Sequence, residues 1–451
     1  MRRPTVGGDS ARLRRLLDNS VATGRRLART PVPAGVRTGL RERLGLTEAA
    51  TDSRPPAHAA RITVVPHHNC HGGPQMFGVS AWCEGVPALP YTTGPTQLRP
   101  TGIGLGNALG DGPAPSQLLR DIRHWSRNQQ PLAAWINRAR AAHGDELQVT
   151  IHDDTGYEIP WEALWLPADP ANGLGEGLLG ALVAVTRWLT IRSTDLVLPE
   201  ASVSAVGDVL GYYFHDARPS RPQRDGVRHI RDMRADMAVF QGYAHRPHVS
   251  IDGFLDELDE CRTDPVGLVY MAAHGTYDDR VDMLTLAEVT WAEYDDRPMT
   301  VLDKDHSMVC LNACHSARFV RNTGLGETDL RGFTELFLRK GAGGCVVAAG
   351  QVGDSEAREL IRQLVGTLAA EPWRPVADSL RLFRARALEE FGPLTNLPRA
   401  RHEGRLNVDG QRPVLRLLYS LMFQYYGHPL STLSLSGTGP GGATSAEGGT
   451  R

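Results

Sequence analysis

The chain has 451 residues, 41% of them hydrophobic and 22% charged, with a formal net charge of −2. That balance excludes a fibrous or largely disordered protein, and the length calls for two or three structural units. No apolar run reaches the ~18 residues that a membrane-spanning helix needs, so no membrane span is expected.

Residues 1–59 read as a basic, partly disordered arm, since positions 1–50 hold 11 Arg against 4 acidic residues. No nucleic-acid partner is expected, although such an arm leaves that contact open. The arm has no apolar core followed by a small-residue cleavage site, and 6 scattered cysteines do not make a disulfide framework. A reducing cytoplasm is the expected compartment.

Residues 60–118 are rich in Gly and Pro, with short apolar segments at 61–65 and 76–82. This region is the expected seat of regulation, and the sequence leaves open whether it stands apart or packs on the residues after 118. His67, His68, Cys70, His71 and Cys83 lack the paired spacing of zinc sites, so neither a metal nor another cofactor is expected.

From 119 to 433 the pattern is regular. Apolar runs of strand length at 147–151, 182–185, 203–210, 266–272, 308–311 and 345–349 alternate with helical stretches at 227–241, 328–340, 354–369 and 375–391. Short apolar strands separated by helices predict an α/β domain with a mainly parallel sheet flanked by helices. Residues 434–451, rich in Gly, Ser and Thr, read as a disordered tail.

Two strand endings carry chemistry. The run 266–272 empties into His274-Gly275, and the run 308–311 into Asn312-Ala-Cys314-His-Ser316. In open α/β sheets, ligands bind beyond the carboxyl ends of strands. A thiol beside an imidazole makes an activated nucleophile. Gly275, lacking Cβ, lets backbone amides approach a reacting carbonyl, and with the Cys314 amide it can form an oxyanion hole. A lone Cys is more often a small buried hydrophobe, which is the reading for Cys310 and Cys345 inside their runs.

These endings resemble the caspase-type clan of cysteine peptidases, and in particular the CHAT domain, a bacterial relative of caspases and separase. The resemblance extends to Ile159-Pro160-Trp161-Glu162, to the 332–347 helix and glycine-rich strand, to the late helix 375–390 and to the closing segment 422–429. It covers roughly residues 120–430 and implies a caspase-like fold. Cys314 would be the nucleophile, His274 its base, and the Gly275 and Cys314 amides the oxyanion donors. Asn312 and Asp354 would bind substrate, Asp354 by pairing with a basic side chain. Gly350 stands where the family usually has Trp, and Asp354 can equally cap the helix beginning there.

The function so implied is a cysteine endopeptidase that cleaves a protein partner encoded nearby. It would stay latent until a partner protein, a ligand or self-cleavage arranges the site, in bacterial signalling or antiphage defence. The rival is a catalytically silent caspase-like scaffold for protein–protein interaction.

Overall fold

The computed structural model describes residues 58–67, 76–91, 97–98, 105, 114–191, 202–214, 231–321, 330–402 and 405–437. The arm up to 57, His68, Cys70, His71 and the last 14 residues lie outside these. The apolar runs become strands of one sheet. In chain order these are β1 (Ala59–His67), β2 (Met76–Cys83), β3 (Val86–Leu89), β4 (Gln148–Asp153), β5 (Ala184–Trp188) and β6 (Ser204–Tyr213). After them come β7 (His245–His248), β8 (Val266–Ala272), β9 (Met308–Asn312), β10 (Gly344–Ala348), β11 (Phe423–Gly427) and β12 (Thr432–Leu435).

Across the sheet the order is β7-β6-β8-β9-β10-β11-β5-β4-β1-β2-β3, with β12 also paired to β6. The strands from β7 to β10 are parallel, as are those from β11 to β1. The two blocks meet at an antiparallel seam, where β10 pairs with β11 and Gly344 faces Gly427. Both seam residues need to be small: a Cβ on Gly344 would stand 2.6 Å from the Tyr425 hydroxyl.

The helices that cover the sheet are α1 (Pro115–Arg127), α2 (Gln130–His143), α3 (Ile251–Asp259), α4 (Phe333–Arg339), α5 (Asp354–Ala370), α6 (Val376–Phe391) and α7 (Val408–Met422). Along β8, successive side chains alternate between two cores, as the period of a strand requires. Val269 and Met271 pack with Phe254 and Leu258 of α3 and Leu336 and Phe337 of α4. Leu268 and Tyr270 pack on the opposite face with Leu360 and Ile361 of α5 and Leu380 of α6. Burial on both faces explains why these strands read as unbroken apolar runs.

A third core joins Ile62 and Ile151 to α1, α2 and α7. In α1 the buried Leu118, Leu119, Ile122 and Trp125 form a stripe at helical spacing. The strands described between residues 60 and 118 are thus built into the same sheet: β1 lies parallel to β4, with Ile62 opposite Ile151. The expected boundary between 118 and 119 falls inside α1. At the far end the expected tail begins too early. Ser434 and Leu435 belong to β12, which is anchored by the buried Leu433. Among the described residues no helix is long and apolar enough to cross a membrane.

Candidate active site

A parallel sheet opens a crevice where two neighbouring strands send their following connections in opposite directions. Here that place lies between β6 and β8. From β6 the chain moves outward to β7, whereas β8, β9 and β10 succeed one another inward. A cavity of about 200 Å3 occupies the crevice, and its lining includes Phe214, Ala273, His274, Asn312 and Cys314. Four of these stand beyond the carboxyl ends of their strands, and Asn312 is the last residue of β9.

Register brings the two polar turns together. Ala272 of β8 lies opposite Asn312 of β9, and the Ala273 amide donates to the Asn312 carbonyl at 3.2 Å. His274 and Cys314 therefore each follow two residues after a matched pair. The His274 ring is exposed and rests on Phe214, edge to face, with centroids 4.6 Å apart. Its carbonyl accepts from the Ala287 amide at 2.9 Å, and Gly275 pairs with Leu286 in a short hairpin. A Cβ on Gly275 would stand 2.6 Å from the Cys314 carbonyl oxygen. Only glycine allows this contact between the loops. Gly275→Ala is expected to lower kcat/KM roughly 100-fold, because displacements near 1 Å cost that much. Steady-state kinetics beside a melting curve would check it.

The thiol loop is held from beneath. Ser316 is buried; its hydroxyl donates to the Leu311 carbonyl at 3.3 Å and accepts from the Ala348 amide at 2.9 Å. Its carbonyl accepts from the Thr334 hydroxyl at 2.9 Å. The His315 amide donates to Gly350 at 3.1 Å and the Ala317 amide to Ala348 at 2.9 Å. His315 has φ +59°, so the left-handed turn that presents Cys314 is fixed by these bonds. Ser316→Ala leaves the buried Ala348 amide unpaired, and turnover should fall roughly 10- to 100-fold with little change in KM. An unchanged kcat would show that the loop holds its shape without the hydroxyl.

Cys314 is half-buried, whereas Cys310 and Cys345 are enclosed in their strands. Burial pushes the Cys310 thiol up to about 12 and that of Cys345 up as well. Burial, with Arg318 nearby, lowers His315 to about 4, so its imidazole stays neutral near pH 7 and puts no charge beside the thiol. Asn312 donates from Nδ2 to the buried Tyr270 hydroxyl at 3.1 Å. Burial raises the Tyr270 phenol well above its ordinary value, so it remains protonated.

Asp354 opens α5 directly after Gly353, which takes the cap position. Val352, two residues earlier, lines the cavity. Asp278, Asp279 and Asp282 are exposed, and Asp282 is paired with Arg280. Phe214 and the anchoring by Ser316 escape a reading of the sequence. The run 203–210 in fact continues through Gly211 to Tyr213, and following it past the glycine would have reached Phe214.

A thiol and an imidazole at the switch point of a mainly parallel, helix-flanked sheet define a caspase-like cysteine peptidase fold. The CHAT domain family model matches residues 125–393, and the chain belongs to that family. Among solved structures, the complex of the pro- and mature domains of RgpB from Porphyromonas gingivalis is similar, with a TM-score of 0.42 and 12% identity, over 67% of this chain and 70% of that one. Saccharomyces cerevisiae separase, in its complex with securin, is similar with a TM-score of 0.35 and 14% identity. That match takes in 69% of this chain and 18% of the separase chain. No curated protein matches.

Proposed function

We propose that the protein is a cysteine endopeptidase that cleaves a specific protein partner through Cys314 and His274. The observation that supports this best is the close approach of Gly275 to the Cys314 carbonyl, together with a cavity that both His274 and Cys314 line. His274 takes the thiol proton, and the sulfur attacks the peptide carbonyl to form a carbon–sulfur bond. The Gly275 and Cys314 amides hold the oxyanion. His274 then returns its proton to the departing amine, and water, deprotonated by His274, releases the acyl group and restores the thiol. Asn312 and Asp354 contact the substrate. Because the fold presents an exposed imidazole and a half-buried thiol, we assign latency to a partner or ligand that orders the surrounding loops. Bacterial signalling or antiphage defence is the setting we propose.

The test is incubation of the full chain with the products of neighbouring genes, reading discrete fragments. Fragments support the reading. Absence of fragments, together with a Cys314 no more reactive than the exposed Cys261 toward a peptidyl electrophile, would favour a silent scaffold.

A further inference from the structure

Gly275 and Cys314 mark one place where the two polar turns approach each other, and a second lies further along both of them. Arg318 comes four residues after Cys314, and Tyr277 three after His274. The Arg318 guanidinium lies over the Tyr277 ring, 4.6 Å from its centroid. The Tyr277 hydroxyl donates to the Phe319 carbonyl at 3.4 Å, and the His315 ring stands 6.3 Å away, centroid to centroid. We infer that Arg318 is a positioning residue: clasped between Tyr277 and Glu158, it holds the histidine turn against the thiol turn, so that His274 reaches the Cys314 sulfur. The inference rests on the peptidase reading of Cys314 and His274.

The far end of the clasp is rigid. Nε of Arg318 stands 2.9 Å from Oε1 of Glu158, with the two side chains 18% and 24% exposed. Water and salt screen such a partly buried pair less than one on the open surface. Glu158 has φ +55°, a value that few residues other than glycine adopt and that persists only where the surroundings impose it. Here they do. Asp153, the last residue of β4, accepts from the Thr155 amide at 2.9 Å, the Thr155 hydroxyl at 2.6 Å and the Trp161 indole N–H at 2.9 Å. Arg321 adds a second tie, donating from Nη2 to the Asp154 carbonyl at 2.8 Å and to that of Thr155 at 3.3 Å. The turn after β4 is thus fixed without help from Arg318.

A guanidinium can stack on a ring and pair with a carboxylate at once, which suits arginine to this position. β4 lies in the half of the sheet running from β11 to β3, which carries neither His274 nor Cys314. Arg318 connects that half to the site. The His274 ring is exposed and rests on Phe214, so its place depends on how its turn is anchored. Gly275 on Leu286 anchors the turn at its start, and Tyr277 under Arg318 anchors it beyond. A displacement of about 1 Å in a reacting group can cost roughly 100-fold in rate.

Alkylation of Cys314 by iodoacetamide near pH 7, followed by peptide mass spectrometry on the full chain, tests the clasp without turnover. His274→Ala should slow it several-fold in the wild-type background, because no imidazole then draws off the thiol proton. The same change should make no further difference in Arg318→Met, which keeps a side-chain stem and drops the charge, with melting curves as the control for folding. If His274→Ala slows alkylation equally in both backgrounds, the imidazole finds the thiol without Arg318 and the inference is overturned. If it slows neither, the peptidase reading itself fails. Kinetics on a cleaved peptide add a second readout. Arg318→Met and Tyr277→Leu should lower kcat roughly 10- to 100-fold while KM stays within about twofold. Tyr277→Phe, which keeps the ring face, should lose far less than Tyr277→Leu, and Arg318→Lys, which keeps a cation, should recover part of the loss. A KM that rises while kcat holds, or a lysine variant no better than the methionine one, would overturn the assignment.

Discussion

Replacing Cys314 by alanine is expected to remove cleavage altogether, by about four orders of magnitude or more, since no other group in the site can form the acyl intermediate. The thiol is half-buried and alanine leaves a smaller side chain without a charge, so the melting temperature should hardly move. His274→Ala is expected to retain more, losing roughly 10²- to 10⁴-fold, the usual contribution of a positioned base. The ring is exposed and touches Phe214, so this variant too should fold. The pair of variants discriminates further. If His274 acts as a proton carrier, added imidazole should restore part of the rate to His274→Ala and none to Cys314→Ala. Identical fragments from wild type and Cys314→Ala would end the proposal, whatever His274 does.

The largest effect on stability is expected at Glu162. Its carboxylate is completely buried and accepts from Arg187 Nε at 2.8 Å, while Arg187 also donates to the Ile159 carbonyl at 2.9 Å. A second buried guanidinium, Arg384, is turned to the Phe423 carbonyl at 2.7 Å. Burial pulls Arg384 down to about 10 even with Glu162 near. Burial alone would raise the Glu162 carboxyl; Arg187 more than offsets it, so the group lies below its ordinary value. Glu162→Gln takes from two buried cations the carboxylate that Arg187 is bonded to, and should cost about 3–5 kcal/mol. The melting temperature should drop by roughly 3–5 °C. A depressed carboxyl contributes stability above its unfolded pKa of about 4.3 and loses it as pH falls through the folded value. The gap between wild type and Glu162→Gln should therefore narrow below about pH 4.3. Thermal melts at pH 7 and pH 3.5 would show it, and an equal gap at both would mean that the pair is not the cause.

Much of this arrangement is legible in the residues themselves. β8 runs from 266 to 272 as its apolar run does, and both polar turns come after their strands where the sequence places them. Such strands are buried on both faces, so their composition alone marks them. Features that depend on distant pairing are harder to read. β1 finds its partner in β4, across a stretch in which α1 and α2 intervene, and nothing within residues 59–67 announces that neighbour. Gly410 and Pro413 conceal α7, although Asn407 caps it by accepting from the Gly410 amide. Asp232 and Asp236 look like the solvated face of a helix until β6 and β8 set that helix against the crevice. Local pattern reveals elements, and the site needs to know which elements meet.

The seam between β10 and β11 sets an order of events during synthesis. β11 occupies the middle of the sheet yet is made from residues 423–427, so two half-sheets wait with open edges until it has been made. The turn bearing Cys314 hangs from Ala348 and Gly350, and Ala348 is itself paired with Phe423. A chain still on the ribosome therefore carries Cys314 on an unsupported loop. The same strand that closes the sheet finishes the site, and a truncated or stalled product is left without it.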